Sequence, residues 1–143
     1  MKREFSTHWI GSKQPRKQRK FRARAPLHVL RKFLSANLSK DLRKKYSRRS
    51  FPLRKGDVVR IMRGSFKKQK GKIEIVDIKR TRVVIEKIRR SKKDGTKVAV
   101  YFSPSKLQIQ ELNLDDKARM KSIGRKMKGE IEKKNLGSSS EKK

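Results

Sequence analysis

The sequence predicts a mainly β protein, built around a small closed antiparallel barrel over residues 51–112. Three observations lead to this fold class. Five short runs rich in β-branched residues follow one another in this region and are separated by turn signals. The preceding residues 26–50 repeat their leucines at helical spacing. Most of the remaining chain is dominated by Lys and Arg and holds few apolar side chains.

The composition indicates an anionic partner. The 143 residues include 45 Lys and Arg against 13 Asp and Glu, which gives a formal net charge of +32 and a mean hydropathy of −1.00. The length fits one ordinary domain, and a chain this positive repels itself unless a polyanion neutralises it. Nucleic acid is favoured over an anionic membrane surface, because no long basic amphipathic helix, lipidation signal or apolar run of ~20 residues is present. Neither a secretory signal nor a cysteine occurs, so a cytoplasmic location is expected.

Residues 1–25 are predicted to form a basic extended arm. The run SKQPRKQRKFRARA has no apolar periodicity, and it is expected to be disordered in isolation. Phe5 and Trp9 lie in this arm without an evident core to join, so stacking on a base and packing in a partner's groove both stay open. The charge favours contact with nucleic acid over a solvated tail or a targeting signal.

Residues 26–50 are predicted to form short basic helices. The first carries leucines at helical spacing, and we expect it to break at residues 37–38. Ser39 is a good N-cap for a second helix, with Leu42 and Tyr46 one turn apart on its apolar side. Packing on a neighbouring element and insertion into an RNA groove are both compatible with this pattern. The leucines are Leu27, Leu30 and Leu34.

Residues 51–112 hold the predicted barrel. Turns are expected at Lys55-Gly56-Asp57 and at Asp94-Gly95, and Pro104 should end the fourth strand. A module of about sixty residues buries only ~60% of its extended surface, so it should be marginally stable alone. The five strands are expected at residues 58–61, 72–78, 82–88, 97–102 and 106–112.

Residues 113–143 are predicted to form a charged helical tail that frays. Asn113 or Asp115 can cap a helix that carries Ala118, Met120 and Ile123. The glycines and the GSSSEKK end favour fraying.

The chain offers no recognisable catalytic or metal-binding set. His8 and His28 lack a nearby third ligand, so no metal or other cofactor is expected. The loop from Gly64 to Lys72 fails as a nucleotide-binding P-loop, because six residues separate its glycines and Ile73 stands where magnesium requires Ser or Thr. The strand carboxylates form no paired set and are expected to pair with neighbouring Lys and Arg. The sequence therefore predicts a non-enzyme without a small-molecule substrate.

The loop between Gly64 and Gly71 suits polyanion binding instead. The two glycines permit backbone conformations that other residues resist. Between them lie Lys67, Lys68 and Lys70 for phosphates, together with the aromatic Phe66. An ordinary solvated hairpin loop is the alternative, although such a loop rarely needs a phenylalanine.

The segment from Gly56 to Ile88 resembles a KOW motif, a glycine-centred strand–loop–strand element of an SH3-like barrel. The flanks SKQPRKQRK, APLHVLRKFLSANLSKDLRKKYSRRSFPLRKGD, KKDGTKV and SPSKLQIQELNL extend the likeness. Over roughly Ser12 to Lys126 the chain resembles the archaeal and eukaryotic form of the universal large-subunit ribosomal protein L-twenty-four family. Three positions depart from the family pattern: Lys68 and Lys87 stand where glycines are usual, and Ser103 replaces a histidine.

The resemblance implies a structural constituent of the large ribosomal subunit. It implies direct binding to rRNA near its 5′ domain, support of early subunit assembly and a position near the peptide exit tunnel. The expected partners are large-subunit rRNA and neighbouring large-subunit proteins, with no membrane and no homo-oligomer. RNA contacts are predicted for Arg16, Lys17, Arg19, Lys20, Arg22, Arg24, Arg31, Lys32, Arg43, Lys44, Arg48, Arg49, Arg54, Lys55, Arg63, Phe66, Lys67, Lys68, Lys70, Lys72 and Lys106, and a structural role for Gly56, Gly64 and Gly71.

Two binding functions compete with this interpretation. A KOW-type transcription elongation factor would normally carry a further domain, for which the chain leaves no room. A DNA-compacting architectural protein is comparably basic, so charge does not exclude it, and a preference for structured RNA over duplex DNA would. A nucleic-acid enzyme is disfavoured by the missing catalytic set.

Overall fold

The computed structural model describes residues 5–124, which form one seven-stranded sheet flanked by short helices. The helices are α1 (Pro15–Arg24), α2 (Leu27–Phe33), α3 (Lys40–Tyr46) and α4, of which residues 117–124 are described; short 3-10 turns occur at Thr7–Gly11 and Pro104–Lys106. The strands are β1 (Ser35–Leu38), β2 (Ser50–Pro52), β3 (Val58–Ile61), β4 (Lys70–Asp77), β5 (Arg82–Ser91), β6 (Lys97–Phe102) and β7 (Leu107–Glu111). No described helix is long and apolar enough to cross a membrane.

The predicted mainly β fold is confirmed, whereas the prediction that the sheet closes into a barrel is wrong. The strand order is β2-β1-β7-β3-β4-β5-β6, with antiparallel pairs throughout except the parallel pair of β1 and β7. A barrel closes only when the two terminal strands of its sheet pair with each other. Here β1 occupies the outer edge of β7, so β2 and β6 remain as separate edges and the sheet stays open.

The core lies where the alternating strands turn their apolar side chains to one face. Val59 and Ile61 of β3, Ile85 of β5 and Ile109 of β7 have 0% of their surface exposed. In β3 and β7 the alternate residues turn outward, as the period of two requires, whereas β5 buries three consecutive residues, Val83 to Ile85. The five strands predicted from their β-branched runs correspond to β3–β7, and β3 and β6 have the predicted bounds.

The first helices differ from the sequence prediction in one respect. Ser39 caps α3 as predicted, because its hydroxyl accepts a hydrogen bond from the Leu42 amide at 3.3 Å, and Tyr46 is buried. The predicted break at residues 37–38 is part of a strand, β1, which pairs with β2 and β7. The edge of β7 needs hydrogen-bond partners, and the extended chain before Ser39 supplies them.

The extended conformation predicted for the arm is wrong over Pro15–Arg24. This segment is the helix α1, which starts on a proline with its φ already set for a helix. Phe21, its one large apolar side chain, is 6% exposed and packs against the ring of Phe33 with centroids 6.0 Å apart. Tertiary packing of a single aromatic thus stabilises a helix that shows no apolar periodicity.

The predicted helix after the sheet is present, but its cap is a different residue. The carboxylate of Asp116 accepts a hydrogen bond from the Ala118 amide at 2.7 Å, whereas Asn113 makes a local turn with the Asp115 amide. Ile123 is buried in the core cluster, which attaches α4 to the sheet. The fraying end predicted for residues 125–143 lies outside the described residues.

A buried ion pair joins the turn before β3 to α4. Both oxygens of Asp57 accept hydrogen bonds from the guanidinium of Arg119, at 2.6 and 2.8 Å, and both side chains are at most 1% exposed. The same carboxylate accepts the backbone amides of Arg54 and Asn113 at 2.9 Å. Arg119 also donates to the Pro52 carbonyl at 3.1 Å. The predicted pairing of Asp57 with a basic residue is confirmed, but its partner lies far along the chain.

Two of the three positions that depart from the family pattern, Lys68 and Lys87, have an unusual backbone conformation. Lys68 and Lys87 have φ of 74° and 64°, in the left-handed region that glycine adopts without steric cost. Lys68 lies in the β3–β4 loop, and Lys87 lies where the register of β5 shifts. At both positions this chain therefore holds a lysine at a φ that favours glycine.

Substitution of Lys68 or Lys87 by glycine is therefore expected to stabilise the protein. Relief of the left-handed strain returns about 1–2 kcal/mol, and the extra freedom of glycine in the unfolded chain costs about 0.4–1 kcal/mol. We expect a net gain of about 0.5–1 kcal/mol for each, measured by urea unfolding. Lys67→Gly removes the same charge at an ordinary φ, so it should destabilise; equal effects at all three positions would contradict the strain argument.

The turn predicted at Asp94-Gly95 is confirmed. Gly95 has a φ of 82°, and the Asp94 carboxylate accepts a hydrogen bond from the Thr96 amide at 3.0 Å. Hydrogen bonds from Thr96 hold the pKa of the Asp94 carboxyl below its usual range. These contacts connect β5 to β6 and fix the exposed end of that hairpin.

Candidate nucleic-acid interface

Helix α1 exposes its cations to solvent on an ordered backbone. The amide of Gln18 donates to the carbonyls of Ile10 and Ser12, at 3.0 and 2.7 Å, which attaches the preceding 3-10 turn to the helix. Within residues 5–124, none of its cations has a carboxylate within ion-pairing distance. The helix therefore holds, on ten residues, six charges that we call free, because among residues 5–124 no carboxylate pairs with them. Two of them, Lys20 and Arg22, also lie over the rings of Trp9 and Phe33. The six are Arg16, Lys17, Arg19, Lys20, Arg22 and Arg24, all exposed.

The aromatic residues of the arm pack on their own chain. Phe5 lies 6.2 Å from Trp9 and 5.2 Å from Phe21, between ring centroids. The ammonium of Lys20 lies 4.6 Å from the centre of the Trp9 ring. Of the two alternatives left open by the sequence, packing accounts for these rings, although the groove belongs to the same chain and not to a partner.

The cations of residues 26–55 divide into free and internally used groups. Arg43 donates to the Leu38 carbonyl at 2.9 Å, Arg48 donates to the Ser122 carbonyl and stacks on Phe51, and Arg54 pairs with Asp116. These three side chains help to hold the helices on the sheet. The free and exposed members of the predicted set are Arg31, Lys32, Lys44, Arg49 and Lys55.

The β3–β4 loop is a short structured turn with lysines on its outside. Backbone hydrogen bonds close it, from the Lys68 amide to the Ile61 carbonyl and from the Ile61 amide to the Gln69 carbonyl, both at 2.9 Å. Lys67, Lys68, Lys70 and Lys72 are exposed, as are Arg63 and Lys106. The loop and the first residues of β4 therefore offer four lysines on an ordered backbone.

Phe66 is half-buried in this loop. Its ring meets Phe102 edge to face with centroids 6.0 Å apart, and it packs against the core cluster. Packing explains why the loop contains an aromatic residue, and contact of Phe66 with RNA stays a prediction.

The three structural glycines act in two different ways. Gly56 and Gly64 have φ of 92° and 101°, so the predicted need for backbone freedom holds for both. Gly71 has no positive φ, and the same prediction is wrong for it. A Cβ at Gly71 would lie 2.5 Å from the Cγ2 of Ile85, so this glycine permits the close approach of β4 and β5.

Sequence reasoning missed one further cationic surface, on the β5–β6 hairpin. Arg82, Arg90, Lys92 and Lys93 line it together with Tyr101, which is 45% exposed. The alternation of KVAVYF was the available signal, because it turns Tyr101 outward when Phe102 turns inward. Among the described residues, no group of three His, Asp or Glu side chains could hold a metal ion.

Comparison with known proteins identifies relatives over most of the chain. The family model of the eukaryotic ribosomal proteins L26 and their archaeal L24-type counterparts matches residues 12–126. The large ribosomal subunit protein uL24 of Methanosphaera stadtmanae is 47% identical over 116 residues, which cover 81% of this chain and 99% of that protein. The uL24 protein of Methanoculleus marisnigri is 47% identical over 115 residues, covering 80% and 95% of the two chains.

Proposed function

Because the chain belongs to the uL24 family of archaeal and eukaryotic ribosomal proteins, we propose that it binds large-subunit rRNA directly through the free cations of α1, of residues 26–55 and of the β3–β4 loop. The family assignment makes it a structural, non-enzymatic component of the large ribosomal subunit in the cytoplasm. The transcription-factor and DNA-compacting alternatives are not supported by these relatives.

The observation that carries the proposal is the placement of free charge on ordered backbone. The cations of α1 and the loop lysines are exposed, and within residues 5–124 they lack carboxylate partners. Lys and Arg that meet phosphates release counterions, and a fixed frame lowers the entropy lost on binding. We expect recognition by shape and backbone, because the major groove of A-form RNA is too narrow for side chains.

The family resemblance, and not the charged interface, suggests the finer role that we propose. The chain binds rRNA near the 5′ domain, supports early subunit assembly, lies near the peptide exit tunnel and contacts neighbouring large-subunit proteins. In this arrangement the residues 51–112 act as a platform, and residues 1–25 and 26–50 extend its basic surface.

Co-sedimentation tests the proposal. A tagged form of the protein, expressed in its source organism, is expected to sediment with large ribosomal subunits. It should remain bound to them through a wash at moderate salt concentration. Purified protein should bind a fragment of the 5′ domain more tightly than duplex DNA of equal length. The proposed function would be contradicted if the protein remained in the gradient fractions that contain no ribosomal subunits. It would also be contradicted if the purified protein bound duplex DNA more tightly than the rRNA fragment.

The loop lysines are expected to contribute directly to RNA binding. Replacement of Lys67, Lys68 and Lys70 by alanine should weaken binding of the rRNA fragment and reduce the slope of log K against log salt by about 1 for each phosphate that is no longer neutralised. Filter binding at several salt concentrations measures both quantities. The matched control replaces Lys79, Lys117 and Lys121, which are also exposed but lie outside the proposed interface. Equal effects of both triple variants would indicate a nonspecific effect of charge.

A further inference from the structure

Two neighbouring clefts open beside β6, and Tyr101 lines both of them. The first, about 510 Å³, lies between the β3–β4 loop and the turn that follows β6. The second, about 590 Å³, follows the β5–β6 hairpin. They adjoin at Arg90, Val100 and Tyr101, and together we call them the Tyr101 groove. Each volume falls within the roughly 300–1,000 Å³ of sites that hold small ligands, such as a nucleotide.

Among residues 5–124, every charged side chain that lines the Tyr101 groove is a cation. Within residues 5–124, no carboxylate lines either cleft, and none of its cations makes an ion pair. Ser65 and Ser103 add hydroxyl groups to the first cleft. The cations are Arg63, Arg82, Arg90, Lys92, Lys93 and Lys106, all exposed.

Tyr101 is an exposed aromatic ring held by regular structure. It pairs with Val84 in the ladder of β5 and β6, and the next residue, Phe102, is anchored in the core against Phe66. The side chain is 45% exposed, so the strand fixes the backbone while the ring stays accessible. An aromatic platform between two stretches of positive charge is the arrangement that binds single-stranded nucleic acid.

We propose, on the basis of the proposed function, that the Tyr101 groove binds a short single-stranded segment of RNA, with its phosphates on the six cations and an unpaired base stacked on Tyr101. A base inside an A-form helix offers only its edge, and only an unpaired base can offer its face to the ring. The groove therefore provides a site for an unpaired nucleotide. This site is separate from α1 and the β3–β4 loop, which recognise the shape and backbone of the RNA.

An extended acidic peptide is the competing occupant. β6 is a terminal strand of the sheet, so its free edge has backbone groups that another strand would satisfy. A peptide bound in this way would use the cations but would leave the face of Tyr101 without a partner. The exposed ring beside the cations therefore favours RNA.

Fluorine NMR of the full chain labelled with 3-fluorotyrosine tests the site. The chain has two tyrosines, and Tyr46 is 9% exposed and serves as an internal reference. A single-stranded RNA hexamer is expected to shift the Tyr101 resonance and leave that of Tyr46 in place. A 12-base-pair RNA duplex and a decamer of glutamate should leave both resonances in place.

Substitutions give a second, independent measurement. Tyr101→Leu should weaken binding of the hexamer by about 5- to 150-fold, the range of one base–aromatic stack, whereas Tyr101→Phe should retain affinity. Arg90→Ala should also weaken binding, and Arg80→Ala, outside the groove, should not. Equal affinity of Tyr101→Leu and the wild type would overturn the stacked base.

The outcomes separate this site from the proposed function. If the hexamer does not change the Tyr101 chemical shift while the chain still binds the rRNA fragment, the proposed site in the groove is contradicted. The proposed function is then unaffected. A shift caused equally by the duplex overturns the preference for an unpaired base, and one caused by the glutamate decamer assigns the groove to a peptide. Failure to bind any RNA overturns both proposals.

Discussion

Replacement of Arg119 by methionine is expected to lower the free energy of unfolding by about 3–5 kcal/mol, because it leaves the buried carboxylate of Asp57 without its charge partner. Both side chains are at most 1% exposed, and two parallel hydrogen bonds of 2.6 and 2.8 Å join them. Water cannot replace the missing partner at that depth. The remaining amides of Arg54 and Asn113 stabilise the carboxylate only in part.

Urea unfolding followed by circular dichroism measures this loss. The control is Arg54→Gln, which breaks the ion pair of Arg54 with Asp116; both side chains are at least a third exposed there, so a loss of about 0–1 kcal/mol is expected. The double variant Asp57→Asn with Arg119→Met should recover part of the stability, because no uncompensated charge stays buried. A loss for Arg119→Met no larger than that of the control would show that the buried pair contributes little.

The sequence could predict that Asp57 meets a basic residue, but it could not select Arg119. The two positions are 62 residues apart, and Arg119 resembles the other cations of a charged tail. Periodicity reports which face of one element is apolar, not which elements meet. Only the fold shows that α4 returns to the turn before β3.

Strands were predictable where one face is buried. The runs that became β3–β7 are rich in β-branched residues, and in β3 and β7 the burial alternates with a period of two. β1 and β2, with the sequences SANL and SFP, contain no β-branched residue, the signal from which the other strands were predicted. They form because β7 offers a free edge, which is a property of the folded sheet.

The sequence predicts which segments of the candidate interface are rich in cations, but not which of those cations remain free in the folded protein. Counting cations identifies α1 and the loop, yet it cannot separate Lys44 from Arg43, which donates to a backbone carbonyl of its own chain. The helical form of α1 was also hidden, because a single aromatic, Phe21, anchors it. Which charges are free is decided by packing partners, and these lie elsewhere in the sequence.

The affinity for rRNA is expected to fall about 10³- to 10⁵-fold between 50 and 200 mM salt if 6–10 phosphates are neutralised. Helix α1 alone offers six free cations, so it should account for a large share of this dependence. Each neutralised phosphate contributes about 0.9 to the slope of log K against log salt for a duplex. Removal of all six α1 cations would therefore lower the slope by up to about 5.

A variant of α1 with all six cations changed to glutamine tests this contribution. Glutamine has nearly the helix propensity of lysine and arginine, and the anchor Phe21 is kept, so the helix should remain docked. Circular dichroism checks the fold, and filter binding of the rRNA fragment from 50 to 400 mM salt gives the slope. The control for net charge places six glutamines outside the proposed interface, at the exposed positions Lys79, Arg80, Lys87, Lys97, Lys117 and Lys121. If the α1 variant retains the wild-type slope, its cations do not bind phosphates, and the interface must lie on the loop and on residues 26–55.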